Sequence, residues 1–170
     1  MAKTPISLAG IVATVALAAS LSGCAGFGPA PLPGEHEASV RAKLGEPSNV
    51  YSAGTETMLE YATGPSGQYT WMARIGADGR MLSYEQVLTD ETFGKIRIGA
   101  DNREAVLRLV GRPAETSYLA LRDLTVWSYR YKQSGVWDSM MHVHFSQDGI
   151  VRQMMAGPDP EREERRGFFR

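Results

Sequence analysis

The sequence predicts an α+β fold made of two tandem units, each a helix followed by a three-stranded antiparallel β-meander. The first observation is a helical pattern that ends at Gly-x-Pro, at residues 40–47 and again at residues 106–113. The second is an alternation of apolar and polar residues after each of these patterns. The third is an Asp-Gly turn late in each half, Asp78-Gly79 and Asp148-Gly149. A repeat of this length is typical of a duplicated small domain and not of a solenoid.

The second helix, residues 102–110, carries the clearer signals. Asp101 is the predicted N-cap, and Glu104 stands where the partner of a capping box belongs. Gly111 can take the left-handed conformation that ends a helix, and Pro113 prevents the helix from resuming. The apolar face of this helix consists of Val106, Leu109 and Val110. The first helix is predicted at residues 35–44.

Three strands are expected after each helix. Trp127, Tyr129 and Tyr131 recur at period two and therefore share one face of the second sheet. Between the units, Phe93, Ile96 and Ile98 are expected to pack against that sheet. The predicted strands are residues 58–62, 69–75 and 80–88 in the first unit, and 125–132, 140–145 and 150–155 in the second.

The patterns divide the chain into five segments. Residues 1–23 form a signal peptide, 24–34 a flexible tether, 35–90 the first unit, 91–157 the second unit and 158–170 a charged, solvated tail.

Composition excludes several classes of protein. The chain has 170 residues, of which 43% are hydrophobic, and a formal net charge of -1. A nucleic-acid-binding protein usually carries an excess of basic residues, which is missing here. A single cysteine excludes an intrachain disulfide, and the 3 histidines are too few for a histidine-rich metal site.

The N-terminus has the organisation of a secretory signal. Lys3 precedes an apolar stretch at residues 6–21, which is shorter than the roughly 20 residues of a membrane span. The stretch ends in Leu21-Ser22-Gly23-Cys24, which resembles the bacterial lipobox. The resemblance implies that Cys24 is acylated and becomes the first residue of the mature protein. Ala25 in place of an Asp implies the periplasmic face of the outer membrane. The alternative is a chance cysteine at the end of an ordinary signal peptide.

The second unit resembles the BamE (SmpA/OmlA) family. The resemblance covers residues 93–155 and rests on Lys95-Ile-Arg-Ile-Gly99, a helix containing Val106, Gly111-x-Pro113, Trp127-x-Tyr129 and Phe145-x-x-x-Gly149. Members are small outer-membrane lipoproteins that assist the machine inserting β-barrel proteins, and β-lactamase-inhibitor-like proteins share their fold. Two features depart from the family. Family members usually have one unit, whereas this chain has two. In the first unit, Leu59 stands where the family pattern has Trp, and Glu35 stands where the second unit has its Asp cap.

The resemblance also implies a contact surface. In the family, the loop after the helix and the end of the Trp-x-Tyr strand contact lipid headgroups and partner subunits. These positions fall on Arg112, Pro113, Ala114, Tyr131 and Lys132 in this chain. The two cations suit an anionic headgroup, and the alternative is that they are ordinary surface charges.

The sequence contains no convincing catalytic constellation and implies no cofactor. His142 and His144 share one face of a strand, but a zinc site needs three or four ligands. A polar sheet face explains them better. Trp137 lies in a glycine-containing loop, where it is either an exposed binding anchor or a core residue.

These observations predict a non-enzymatic outer-membrane lipoprotein, anchored through Cys24. It would bind protein partners in β-barrel outer-membrane protein assembly or envelope maintenance. The expected partners are the membrane, the β-barrel assembly machinery and anionic lipid headgroups, with no nucleic acid. The alternative is an inhibitor-like periplasmic module that binds another protein, and a third hypothesis is a small hydrolase or metal enzyme using His142 and His144.

Overall fold

The computed structural model describes residues 29–167, with side chains as far as residue 163. Within this range it contains four short helices and two separate four-stranded antiparallel sheets, ordered β1-β2-β3-β4 and β5-β6-β7-β8. In chain order the elements are α1 (Glu37–Leu44), β1 (Asn49–Ala53), β2 (Glu56–Ala62), β3 (Thr70–Ile75), β4 (Met81–Gln86), α2 (Asp90–Phe93), α3 (Arg103–Val110), β5 (Glu115–Leu119), β6 (Leu124–Gln133), β7 (Trp137–Phe145), β8 (Val151–Pro158) and α4 (Pro160–Gly167).

The predicted fold class, two units of a helix plus a three-stranded meander, is wrong. Each sheet has a fourth strand directly after the Gly-x-Pro sequence, β1 in the first sheet and β5 in the second. Both strands lie at sheet edges, and β5 is exposed at all five of its residues. An edge strand with little buried side-chain area needs no alternation of apolar and polar residues, so it left no periodic signal in the sequence.

The two halves share features beyond their strand order. Helix α1 ends at Gly45 and α3 at Gly111, with φ of 83° and 78°. An isolated bridge joins the start of each helix to its own sheet, His36 to Arg80 and Asn102 to Ile150. The tandem duplication itself stays a prediction.

Helices α1 and α3 each cover one face of the sheet in their own half. On the first sheet, Val40 of α1 packs with Leu59 and Ile75, all at most 2% exposed. On the second, Val106 and Val110 of α3 pack with buried residues that include Tyr129, Val143 and Phe145. Leu109 packs partly against this second core, and together with Arg108 it also borders a cavity that Met58 and Met72 of the first sheet line. Helix α3 is therefore the layer between the two sheets.

The N-cap of α3 is Asn102 and not Asp101. The Asn102 side chain accepts a hydrogen bond from the Ala105 amide at 2.9 Å. Asp101 is 5% exposed and accepts instead from the Arg97 amide at 2.8 Å and from its guanidinium at 2.7 Å. Burial disfavours the charged carboxylate, but the hydrogen bonds from Arg97 outweigh it and lower the pKa of Asp101. The prediction was one residue early because both residue types can cap a helix.

The connection between the halves contributes to the second core. Phe93 and Ile96 are buried there, as predicted, and the Phe93 ring contacts those of Tyr129 and Tyr131 edge to face. The prediction for Ile98 is wrong, since it is 58% exposed. Helix α2, which was not predicted, has Thr89 as its N-cap, and the Thr89 hydroxyl accepts from the Thr92 amide at 3.1 Å.

Parts of both terminal segments contact the sheets. The Gly34 amide donates to the Met81 carbonyl at 2.7 Å, and Pro31 is buried. At the other end, Asp159 is fully buried at the start of α4. No helix among residues 29–167 is both long and apolar enough to cross a membrane. Cys24 and the signal peptide lie outside the described residues, as do Phe168 and Phe169 at the end of the predicted charged tail.

Candidate functional site

The strongest candidate site is a cleft between the two halves. It encloses a cavity of about 260 Å³. Three of the residues predicted to form the contact surface, Arg112, Pro113 and Ala114, line it. They follow Gly111, whose positive φ turns the chain sharply out of α3 toward the first sheet.

A buried carboxylate joins the halves at this cleft. Glu60 is fully buried on the face of β2 that is turned toward α3. Its two oxygens accept from the Arg112 amide at 3.2 and 3.3 Å, and one also accepts from the Asn49 side chain at 3.1 Å. The Tyr51 hydroxyl donates to the same carboxylate. Burial, together with the Glu60 charge, raises the pKa of Tyr51. The Glu60 oxygens are thus occupied by donors, which makes the carboxylate an acceptor that fixes the loop after α3.

Gly111 is required where the two halves meet. A Cβ atom placed on Gly111 would lie 2.9 Å from Cδ of Glu60. The carbonyl of Gly111 accepts from the Tyr129 hydroxyl at 3.2 Å. Burial raises the pKa of Tyr129 well above its usual value, which keeps this hydroxyl a donor. The end of α3 is therefore held by the second sheet and by the first.

The second buried charge of the cleft is Arg130, which is 4% exposed. Its guanidinium donates to Glu115 at 2.6 Å and to the Pro65 carbonyl of the first half at 3.1 Å. It also pairs with Glu161 at 2.9 Å and lies 3.4 Å from the fully buried Asp159. This group connects the loop between β2 and β3 to the second sheet and to the start of α4.

Lys132, another predicted contact residue, belongs to a polar network beside the cleft. Its ammonium lies 2.7 Å from Asp138, which also accepts from the Gln68 side chain at 2.7 Å. The Lys132 hydrogen bond is the largest cause of the lowered pKa of Asp138. Because Lys132 is partly buried and paired, its charge is partly neutralised within the protein.

The structure separates the other two predicted binding residues from the cleft. Tyr131 is fully buried and donates to Asp90 at 3.1 Å, so its side chain lies in the core and not at the surface that the resemblance implies. Trp137 is 62% exposed at the start of β7 and borders a different cavity, of about 440 Å³. The structure therefore brings together Arg112, Pro113 and Ala114 only.

The histidine pair does not form a metal site among the described residues. No group of three or more potential ligands occurs there. His142 Nδ1 lies 2.8 Å from the Ser128 hydroxyl, whereas His144 is 6% exposed and its Nδ1 has no hydrogen-bond partner. Burial lowers the pKa of His144, and the neighbouring charges of His142 and Arg122 add to the effect.

Sequence reasoning missed Glu60 and its donors Tyr51 and Asn49. Glu60 stands between Leu59 and Tyr61 in the otherwise apolar stretch of residues 58–62, and period-two alternation places it on the face of the sheet opposite to theirs. In a sheet that packs against a helix on one face only, the opposite face is exposed to solvent. Here α3 covers it, and only the packing of the second half shows this.

Comparison with known proteins gives one partial match to a family. Residues 85–155, fewer than half of the chain, match the model described as the outer membrane protein assembly factor BamE domain. That span runs from the last strand of the first sheet through most of β8 and includes α3, Arg112 and the predicted contact loop. No curated protein matches the chain.

Among solved structures, the chain is similar to a DUF4309 family protein (YjgB) from Bacillus subtilis. The two are 13% identical, with a TM-score of 0.32, over 73% of this chain and 78% of the other. A similarity this low supports no argument about the fold or its role. The expected likeness to β-lactamase-inhibitor-like proteins stays a prediction.

Proposed function

We propose that this protein is a non-enzymatic accessory factor in the assembly of β-barrel outer-membrane proteins. The observation that carries the proposal is the match of residues 85–155 to the BamE assembly-factor domain. The lipobox ending at Cys24 supports an anchor on the periplasmic face of the outer membrane. Two or more acyl chains at that cysteine would make the anchoring stable.

The proposed contact surface is the loop Arg112-Pro113-Ala114 at the cleft. The Arg112 side chain is exposed and forms no ion pair with any other residue that the structure describes. Its main chain is held by Glu60, so the loop is fixed before a partner arrives. A preformed loop with an unpaired cation suits an acidic surface, of a partner subunit or of lipid headgroups, because little ordering entropy is lost on binding.

Crosslinking and affinity purification from membranes test the proposal. The full-length tagged protein is expected to recover subunits of the β-barrel assembly machinery, and Arg112→Glu is expected to recover less of them. Arg152→Glu is the matched control, because Arg152 is a half-exposed arginine of the second sheet that lies outside the cleft. Recovery of other proteins without any subunit of that machinery would contradict the proposal.

The inhibitor-like alternative would be favoured by one continuous sheet, built from both units, that presents an exposed aromatic face. The described residues form two separate sheets with α3 between them. The architecture therefore does not favour that alternative, and the assembly-factor proposal stands as the main one.

A further inference from the structure

One wall of the cleft is the loop between β2 and β3, of which Gly64, Pro65 and Gly67 line the cavity. Residues 64–66 are exposed, and no residue of the loop belongs to either hydrophobic core of the described chain. The position of the loop over the cavity therefore depends on polar contacts. A segment held in this way opens at a lower free-energy cost than one buried in a core.

Two arginines from the other side of the cleft hold the middle of this loop. Arg130 of β6 donates to the Pro65 carbonyl at 3.1 Å, and Arg162 of α4 donates to the next carbonyl, that of Ser66, at 2.9 Å. One carboxylate lies between the two guanidinium groups, since Asp159 is 3.4 Å from Arg130 and 3.5 Å from Arg162. A single acidic residue thus orients both donors.

Asp159 is buried but incompletely satisfied. Its amide donates to the Asp138 carbonyl at 3.1 Å, which ties it to β7, and its Oδ1 accepts from the Glu161 amide at 3.2 Å. Its Oδ2 and the Nε of Arg130 form no hydrogen bond with any residue that the structure describes. A buried ion pair recovers its desolvation cost only when hydrogen bonds of good geometry accompany it. The contact is therefore weaker than its burial suggests.

The remaining ion pairs of Arg130 add little to the contact. Glu115 lies 2.6 Å and Glu161 2.9 Å from the guanidinium, and both side chains are about half exposed. Exposed pairs contribute little to stability and are screened by salt. Neither of them contacts the loop, so their effect on it passes through Arg130.

The two ends of the loop are held independently of these arginines. On one side, Glu60 of β2 is fully buried and accepts from the Arg112 amide. On the other side, Gln68 is 5% exposed and donates to Asp138 at 2.7 Å. Residues 64–67 lie between these fixed points and begin and end with glycine, which permits the changes in φ and ψ that a moving segment needs.

We propose that residues 64–67 form a flap over the cleft and that residues 158–163 form the latch that keeps it closed through Asp159 and its two arginines. When the latch releases, the flap lifts from the cavity while Glu60 and Gln68 stay in place. The predicted contact loop lines the same cavity, so lifting the flap exposes its inner side. That this exposure serves binding rests on the function proposed above, whereas the movement itself is a property of the chain alone.

The flap and the latch both lie outside residues 85–155, the part of the chain that matches the BamE domain. The flap belongs to the first half, and the latch follows the last matched strand. The proposed device therefore joins two segments that flank the matched domain and regulates access to the cleft beside it.

Alkylation of a buried cysteine in the cleft tests the proposal on the full-length protein, purified in detergent. Thr70 is 3% exposed and lines the cavity, so Thr70→Cys is expected to react slowly with iodoacetamide while the flap is closed. Adding Asp159→Asn is expected to speed the reaction several-fold, because asparagine keeps the shape of the side chain but not its charge. The chain without Thr70→Cys reports any reaction at Cys24.

Glu163→Gln is the matched control for the latch. It removes the same charge from the same segment, but Glu163 is exposed and forms no ion pair with any other described residue. Arg162→Gln is a second latch variant, at a partly exposed position that can change without creating a buried vacancy. We expect it also to speed the reaction at Thr70→Cys, and the control to leave the rate unchanged.

A cysteine in the first core separates the opening of the flap from unfolding. Ala73 is fully buried there, and the latch variants are expected to leave the reaction of Ala73→Cys unchanged. The proposal would be overturned if neither latch variant accelerated Thr70→Cys beyond Glu163→Gln. Equal acceleration at both cysteines in both latch variants would overturn it too, because the opening would then be global. The measurement contains no assembly machinery, so its failure would leave the proposed function standing, and failure of the affinity purification would leave the flap standing.

Discussion

Glu60 of the first sheet accepts the main-chain N–H of Arg112 in the second half, at 3.2 Å from one carboxylate oxygen and 3.3 Å from the other. The carboxylate is fully buried, and its other donors, Tyr51 and Asn49, belong to its own sheet. A charged group so placed is tolerated because hydrogen bonds replace the water that it loses. This contact fixes the proposed binding loop against the opposite half of the molecule.

Replacing Glu60 by Gln is expected to lower the free energy of unfolding by about 1–3 kcal/mol, because an amide nitrogen would replace one acceptor oxygen among three donors. Urea denaturation measures the change. Glu56→Gln on the same strand is the control, since Glu56 pairs with a half-exposed Arg74 and such a pair contributes at most about 1 kcal/mol. Equal losses in the two variants would show that the bridge between the halves contributes no special stability.

Gly111→Ala is expected to destabilise the protein more than Gly45→Ala. Both glycines end a helix with positive φ, so both variants have the same backbone strain of about 1 kcal/mol. Only at Gly111 would the new Cβ approach the Glu60 carboxylate, at 2.9 Å, whereas nothing lies within 4 Å at Gly45. Thermal unfolding of the two variants measures the difference, and identical melting temperatures would refute the close approach.

Asn102→Ala is expected to cost about 1 kcal/mol, the usual value of a lost N-cap hydrogen bond. The control is His36→Ala at the start of α1, where the side chain makes no capping hydrogen bond. Urea denaturation of both variants decides whether Asn102 is the true cap. A loss at His36 as large as that at Asn102 would contradict the assignment.

The stability of the fold is expected to decrease as the pH is lowered, in part because of His144. Burial lowers its folded-state pKa below the unfolded value of about 6.5, so below that pH the unfolded state takes up the proton first. The contribution of His144 is therefore fully present above about pH 6.5 and is lost as the pH falls toward the folded-state pKa. Melting curves between about pH 7 and pH 5 should show a shallower decline for His144→Gln than for the wild type. Parallel declines would exclude this histidine as the cause.

Cys24→Ser is expected to abolish lipidation, because serine offers no thiol for acyl transfer. Incorporation of a radiolabelled fatty acid into the full-length protein measures it, with Ser22→Ala as the control that keeps a small residue in the lipobox. Label retained by Cys24→Ser would contradict the lipoprotein assignment and leave the chance-cysteine alternative.

Local patterns predicted most of the regular structure. Helices α1 and α3 and the last three strands of each half lie close to the predicted ranges. The reason is that each has a buried face, which imposes a periodicity on the residues. Strands β1 and β5 have little or no buried face, and Asp101 and Asn102 are adjacent capping residues, so the sequence could not place these features.

The sequence by itself determined the alternating strands, the glycine that ends α3 and the lipobox, because each depends on residues close together in the chain. The tertiary structure alone decided that Arg112, Pro113 and Ala114 line a cleft, that Tyr131 is buried and that Glu60 bridges the halves. The burial of Tyr131 depends on Phe93 in the connection between the halves. The cleft and the bridge depend on which surface covers the second face of the first sheet. That surface is α3, whose place between the two sheets is fixed by long-range packing and not by any short pattern of residues. Gly111 therefore has a role in both the local and the tertiary structure: it ends α3, and it is the point where only a hydrogen atom fits against Glu60.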